Sequence, residues 1–108
     1  MISGDVVSVG PGKIALLEAI RQTRSITAAA KSMDMSYRRA WFLVDELNAA
    51  LKSPAVASSK GGTHGGGSEL TAVGETLIEL YRRIEAGAAQ ACAQDIGALL
   101  KLVRSPRP

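Results

Sequence analysis

Two arginines stand side by side at Arg38 and Arg39, just after Ser36, a residue type that caps helices. A guanidinium can donate two hydrogen bonds to guanine O6 and N7, each such pair giving about 1–3 kcal/mol of discrimination. It can equally hold phosphate oxygens, which positions a protein on a duplex without reading its sequence. Ser36 and Tyr37 add hydroxyls able to donate to phosphate or bases, and Thr27 adds one suited to phosphate. Adjacent arginines on a helix are ordinarily a solvated face. Here they follow a cap, open a helix, and lie opposite its apolar stripe, which is where base-contacting residues of a helix-turn-helix sit. Trp41 is placed to pack on Tyr37 at i, i+4. At 4% aromatic residues the chain has too few rings for a base-stacking platform.

Other chemistries fare worse. Gly62 to Gly67 satisfies a G-x-x-x-x-G spacing, but Ser68 stands where a phosphate-binding loop needs lysine. As the tip of a hairpin, the same loop can bring backbone N–H groups, Lys60, Thr63 and His64 against a sugar-phosphate backbone. His64 is the only histidine and Cys92 the only cysteine, so one chain cannot assemble a zinc site or a disulfide. Cys92 reads as a small apolar filler on a helix. No nucleophile has a base at a recognisable spacing, and Asp45 with Glu46 reads as a solvated helix edge. The residues point to binding without catalysis and with no cofactor or metal.

The elements that must position these residues follow from periodicity and capping. Asp5 to Val9 is a short β-branched run that suits an edge strand, broken by Gly10, Pro11 and Gly12. Lys13 to Arg24 reads as a helix with Ile14, Leu17 and Ile20 inward and Leu16 free for a second contact. On the same helix Lys13, Glu18, Arg21 and Arg24 read as solvated. A short helix opens at Ser25 or Ile26, and Ala28, Ala29 and Ala30 let a neighbour approach closely. Met33, Asp34 and Met35 form a turn before the longer helix Ser36–Leu51, whose Ala40, Val44, Leu47 and Leu51 recur at 4-3-4 spacing. Ser53 and Pro54 end it. Ala55 to Lys60, the glycine loop and Ser68 to Thr71 read as a β-hairpin, a wing spanning 55–71. Thr71 caps a last helix over 72–104 that exceeds what a small domain can cover, so its stripe suits a second copy of the chain. Gly87 and Gly97 weaken that helix by about 1 kcal/mol each relative to alanine, so one long helix and two shorter ones both fit the stretch. Residues 105–108 form a tail. The expected fold is mainly α with a small β-hairpin: a winged helix-turn-helix core over 1–71 and a long C-terminal dimerisation helix.

The charge agrees with that placement. The chain is 108 residues and 46% hydrophobic, enough for one domain with a modest core. Residues 1–60 hold eight Lys/Arg against five Asp/Glu, and residues 61–108 hold five of each. The whole formal excess of +3 therefore sits in the half with the two-helix unit, the half that would face nucleic acid. With no secretory pattern at its start and no apolar run of about 20 residues, the chain is expected to be cytoplasmic.

Several of these motifs come in an order that resembles a known family. Gly10-Pro11-Gly12-Lys13, Leu16-Leu17-Glu18-Ala19-Ile20, Ser25-Ile26-Thr27-Ala28-Ala29-Ala30-Lys31 and Met35-Ser36-Tyr37-Arg38-Arg39-Ala40-Trp41 lead it. Asn48, the glycine run through Gly61, Gly62, Gly65, Gly66 and Gly67, then Leu70-Thr71, Gly74 and Leu80-Tyr81-Arg82 follow. The pattern, over about residues 10–85, resembles the N-terminal DNA-binding domain of ModE-type molybdate-responsive transcription regulators. More remotely it is similar to the LysR-type winged helix domain. The resemblance implies a cytoplasmic homodimer with its recognition helix at Ser36–Leu51 and its wing at about Ala55–Thr71. It also implies a dimer interface built by residues from Ala72 onward together with the helix from Lys13. Arg24 and Asp34 stand where the family usually has glycine, and Asp tolerates a left-handed backbone better than most residues. Full-length regulators of this type continue into oxyanion-binding domains. Nothing in these 108 residues looks like a molybdate pocket, so molybdate binding is not carried over.

The leading expectation is a sequence-specific regulator that binds double-stranded DNA as a homodimer at a pseudo-palindromic operator. Two alternatives stand beside it: a protein–protein interaction module, and a stand-alone regulator with a small-oxyanion site, such as one for molybdate, at its dimer interface.

Overall fold

The computed structural model describes residues 9–59 and 67–103. The expected strand from Asp5 lies outside them except for Val9, as do Lys60 and the glycine loop as far as Gly66. The elements run α1 (Pro11–Thr23), α2 (Ile26–Ser32), α3 (Tyr37–Ala50), β1 (Val56–Ser59), β2 (Gly67–Leu70), α4 (Ala72–Ala91) and α5 (Ala93–Leu102). This is a winged helix-turn-helix with a long C-terminal helical arm.

Helix α1 is the hub. Pro11 sits at its first turn, where the missing N–H costs nothing. Ile14, Leu17 and Ile20 face the core, and Leu16 is equally buried, because α2, α3, α4 and β2 all pack around this one helix. Ile26, Ala29 and Ala30 of α2 and Ala40, Val44 and Leu47 of α3 complete most of the core. The alanines permit the close helix approach that their sequence suggests. Lys13 is not the free surface lysine its spacing implies. Its side chain is only 13% exposed, and its Nζ lies 2.7 Å from Glu46 Oε1. The stem covers apolar surface where α3 passes the start of α1, and the ammonium finds a carboxylate there.

The corners are set by caps. Ser25 Oγ accepts from Ala28 N at 3.0 Å, Ser36 Oγ from Arg39 N at 3.1 Å, and Thr71 Oγ1 from Gly74 N at 3.1 Å. The expected helix Ser36–Leu51 is therefore Tyr37–Ala50 with its two end residues as caps. Arg24 and Asp34 are the two non-glycine residues with positive φ among the described residues, at 57° and 56°. They sit where α1 turns into α2 and α2 into α3.

The wing is a two-stranded antiparallel hairpin pairing Val56 with Leu70, Ala57 with Glu69, Ser58 with Ser68 and Ser59 with Gly67. Asn48, near the end of α3, fastens it. Its Oδ1 accepts from Ala55 N at 2.8 Å and Val56 N at 3.3 Å, and its Nδ2 donates to Val56 O at 3.2 Å. On the other side Ser68 N donates to Arg24 O at 3.2 Å. Gly74 is buried under this junction, where a Cβ would overlap the Ala55 carbonyl oxygen.

The C-terminal arm is two helices, the second of the two readings open for 72–104. The break falls at Cys92, φ −108° and ψ 19°, and not at Gly87 or Gly97. Cys92 N still donates to Ala88 O at 2.9 Å, and Ile96 N to Cys92 O at 2.8 Å, so the axis bends without an intervening loop. Cys92 is exposed, not the packed filler its composition suggests. Two ion pairs clamp the first half of α4 antiparallel to α1: Arg21 with Glu75 at 3.0 Å and Glu18 with Arg82 at 2.5 Å. Beyond that clamp the arm projects, and every residue from 82 to 103 is exposed.

Candidate nucleic-acid interface

The basic start of α3 is built by its cap. Ser36 takes an extended backbone, its Oγ closes the first turn, and the helix then presents Tyr37, Arg38 and Arg39 outward while Ala40, Val44 and Leu47 point into the core. Ser36 is itself exposed. Its hydroxyl oxygen serves the cap, which leaves the proton available to donate. Arg38 and Arg39 are exposed, and neither forms an ion pair among the described residues. Their charge adds to the positive end of a 14-residue helix, worth roughly half an elementary charge. An anion approaching this end meets donors and no competing carboxylate partner of the arginines.

Two hollows flank that helix start. One, of 280 Å³, lies between α2, α3 and the wing strands, lined by Ser25, Thr27, Tyr37, Trp41, Ser58 and Ser68 among others. Thr27 and Tyr37, far apart in sequence, are thus brought to one concavity rich in hydroxyl groups. Tyr37 is 53% exposed and meets Trp41 edge-on, with ring centroids 6.2 Å apart. The pairing expected from i, i+4 spacing holds, and it orients the phenol at the rim. The second hollow, of 260 Å³, is lined by Gly10, Gly12, Lys13, Met33, Met35, Arg39 and Leu43. Arg39 therefore leans toward the start of α1, away from the Thr27 side.

Lys60, Thr63 and His64, expected at the wing tip, lie outside the described residues. Ser58 and Ser68, paired across the wing, belong to the hydroxyl-lined hollow and were not among the contacts expected from the sequence. Phe42 is a second omission. It is 60% exposed on the face carrying Arg38. Its signal was present, since it falls off the 4-3-4 stripe and one turn beyond Arg38.

Among the described residues, no group of three or more His, Cys, Asp or Glu side chains could hold a metal ion. The larger apolar hollows lie elsewhere. One of 320 Å³ and one of 340 Å³ share Leu51, Leu77 and Leu80 at the root of the arm.

No protein-family model matches the chain. It is 46% identical over 82 residues to the molybdenum-pterin-binding protein MopB of Rhodobacter capsulatus, covering 76% of this chain and 30% of that protein. It is 41% identical over 73 residues to the molybdenum transport protein ModE of Azotobacter vinelandii, covering 68% of this chain and 27% of that one. It is 39% identical over 71 residues to the DNA-binding transcriptional dual regulator ModE of Escherichia coli strain K12, covering 66% and 27%. The chain thus spans about 30% of the length of the curated relatives it matches. Its fold is similar to the crystal structure of a CbnR_DBD–DNA complex, with TM-score 0.60 and 25% identity over 82% of this chain and 95% of that one. With the capped basic helix, the fastened wing and these likenesses together, the chain is a winged helix-turn-helix domain that resembles ModE-type regulators over the part of their length it spans.

Proposed function

We propose that the chain is a sequence-specific transcription regulator that binds double-stranded DNA as a homodimer, with α3 in the major groove and the glycine-rich wing on the backbone. The observation that carries this reading is the start of α3. Arg38 and Arg39 stand exposed and without ion-pair partners among the described residues, on a capped helix end whose opposite face is core. Arg38 and Tyr37 read or grip the groove, Thr27 and Ser36 hold phosphates, and Lys60, Thr63 and His64 follow the backbone beyond. The protein works by binding, not by catalysis. The reading puts it in the cytoplasm, and no helix among the described residues is long and apolar enough to cross a membrane.

The homodimer is supported by the arm. Leu80, Ile84, Leu99, Leu100, Leu102 and Val103 are exposed on it, more apolar surface than a lone helix keeps in water. A two-fold axis then implies a pseudo-palindromic operator with half-sites about one helical turn, or a multiple, apart.

Selection of duplexes from a random pool by the purified chain tests binding, symmetry and spacing together. Arg38→Ala with Arg39→Ala should leave the helical signal intact and abolish selectivity, with affinity falling steeply as salt rises. Full affinity and selectivity in the double variant would reject this interface.

A further inference from the structure

Phe42 has no part in the fold. It lies two residues from both Ala40 and Val44, on the opposite side of α3 from the buried stripe, and is 60% exposed. It lines neither of the apolar hollows beside the arm, where a second copy of the chain would bury apolar side chains. Scattered surface apolar residues are common and need no explanation on their own. Position distinguishes this one. Phe42 is i+4 from Arg38 and i+3 from Arg39, so the three share the outward face of one helix. Asp45, a turn further on, is also exposed, while Glu46 is engaged by Lys13. The face thus runs from cationic to apolar to acidic over two turns.

A helix face that enters the major groove meets donors, acceptors and one apolar group, the C5-methyl of thymine. Phe42 lies about 6 Å along the helix axis from Arg38. That is less than two base-pair steps of about 3.4 Å. We propose that Phe42 is a specificity-determining residue that packs on a thymine C5-methyl within two base pairs of the base or phosphate held by Arg38. This rests on the DNA-binding reading above and adds to it a base preference that hydrogen-bond donors alone would not give. In each half-site the arginines supply grip and purine readout, and the ring rewards a methyl group. Replacing thymine by uracil removes only that methyl and leaves every hydrogen-bonding group of the base pair in place.

The test uses the 108-residue chain and its selected duplex. Each thymine of one half-site is replaced in turn by uracil, and binding is titrated for the wild type and for Phe42→Ala. At one thymine the wild type should lose about fourfold in affinity, the value of one buried methyl. Phe42→Ala should bind the thymine duplex more weakly and be indifferent to uracil at that position. Phe42 is exposed, so the variant should melt as the wild type does. Selective wild-type binding with no uracil-sensitive thymine would overturn the proposal and leave the DNA reading standing. So would an alanine variant that keeps the full uracil effect. Absence of any selective duplex binding by the wild type would overturn both.

Discussion

Arg24 and Asp34 hold the two corners of the helix-turn-helix in a left-handed conformation that L-residues enter at a cost of about 1–2 kcal/mol. Asp offsets part of that through its short polar side chain, and arginine has no such recourse. Glycine at position 24 would remove the strain but enlarge the entropy of the unfolded chain by about 0.4–1 kcal/mol. The net prediction for Arg24→Gly is a gain of about 0.5–1 kcal/mol, a rise in melting temperature of about 2–8 °C. Thermal unfolding followed by circular dichroism checks it. A lower melting temperature would mean that the Arg24 side chain itself supports the fold. The resemblance had marked both positions as departures from glycine, and the backbone shows why glycine belongs there.

At the scale of elements, the sequence was most legible where a cap and a period coincide. Ser36 and Thr71 cap the helices their positions suggest, and Ala40, Val44 and Leu47 face the core as their spacing requires. Thr27 and Tyr37 were legible as candidate contacts, but their shared hollow depends on where the wing strands sit, which no local pattern encodes. Contacts across elements were likewise hidden. Lys13 with Glu46 and Glu18 with Arg82 join residues whose proximity exists only after α1 is surrounded. The position of the break escaped because intrinsic propensity favours Gly87 or Gly97, and the exposed stretch from Ile84 to Val103 has no packing that would fix the choice. The clamp between α1 and α4 leads to a pH prediction. Arg82 hydrogen-bonds both oxygens of Glu18 and holds its carboxyl below the usual 4.5. A lowered folded-state value stabilises the protein above the unfolded value, and that contribution is lost as pH falls through the folded one. Glu18→Gln should therefore be less stable than the wild type near neutrality, with the gap closing as pH drops below 4.5. Paired melts across pH 3–7 (about the carboxylate range) decide it. A gap independent of pH would assign the effect to packing.

At the scale of the molecule, the protein is a compact core with a projecting arm, 53 × 36 × 20 Å overall. The core closes over its own apolar residues, and the arm does not. Leu99 and Leu100 take no part in the protomer's core, so Leu99→Asp with Leu100→Asp should leave the core's melting unchanged while opposing self-association. Sedimentation equilibrium should give twice 11.3 kDa for the wild type and a single copy for the variant. A monomeric wild type would end the homodimer reading. The variant should still recognise a half-site, but weakly, because the second half-site no longer adds to the same binding event.

The two left-handed corners have a consequence in the gene. Every arginine codon becomes a glycine codon by changing its first base, and every aspartate codon does so by changing its second. Each corner of this helix-turn-helix is therefore a single nucleotide away from a residue that fits its backbone better. At position 24 that same change would also remove a positive charge from the joint whose carbonyl receives the wing.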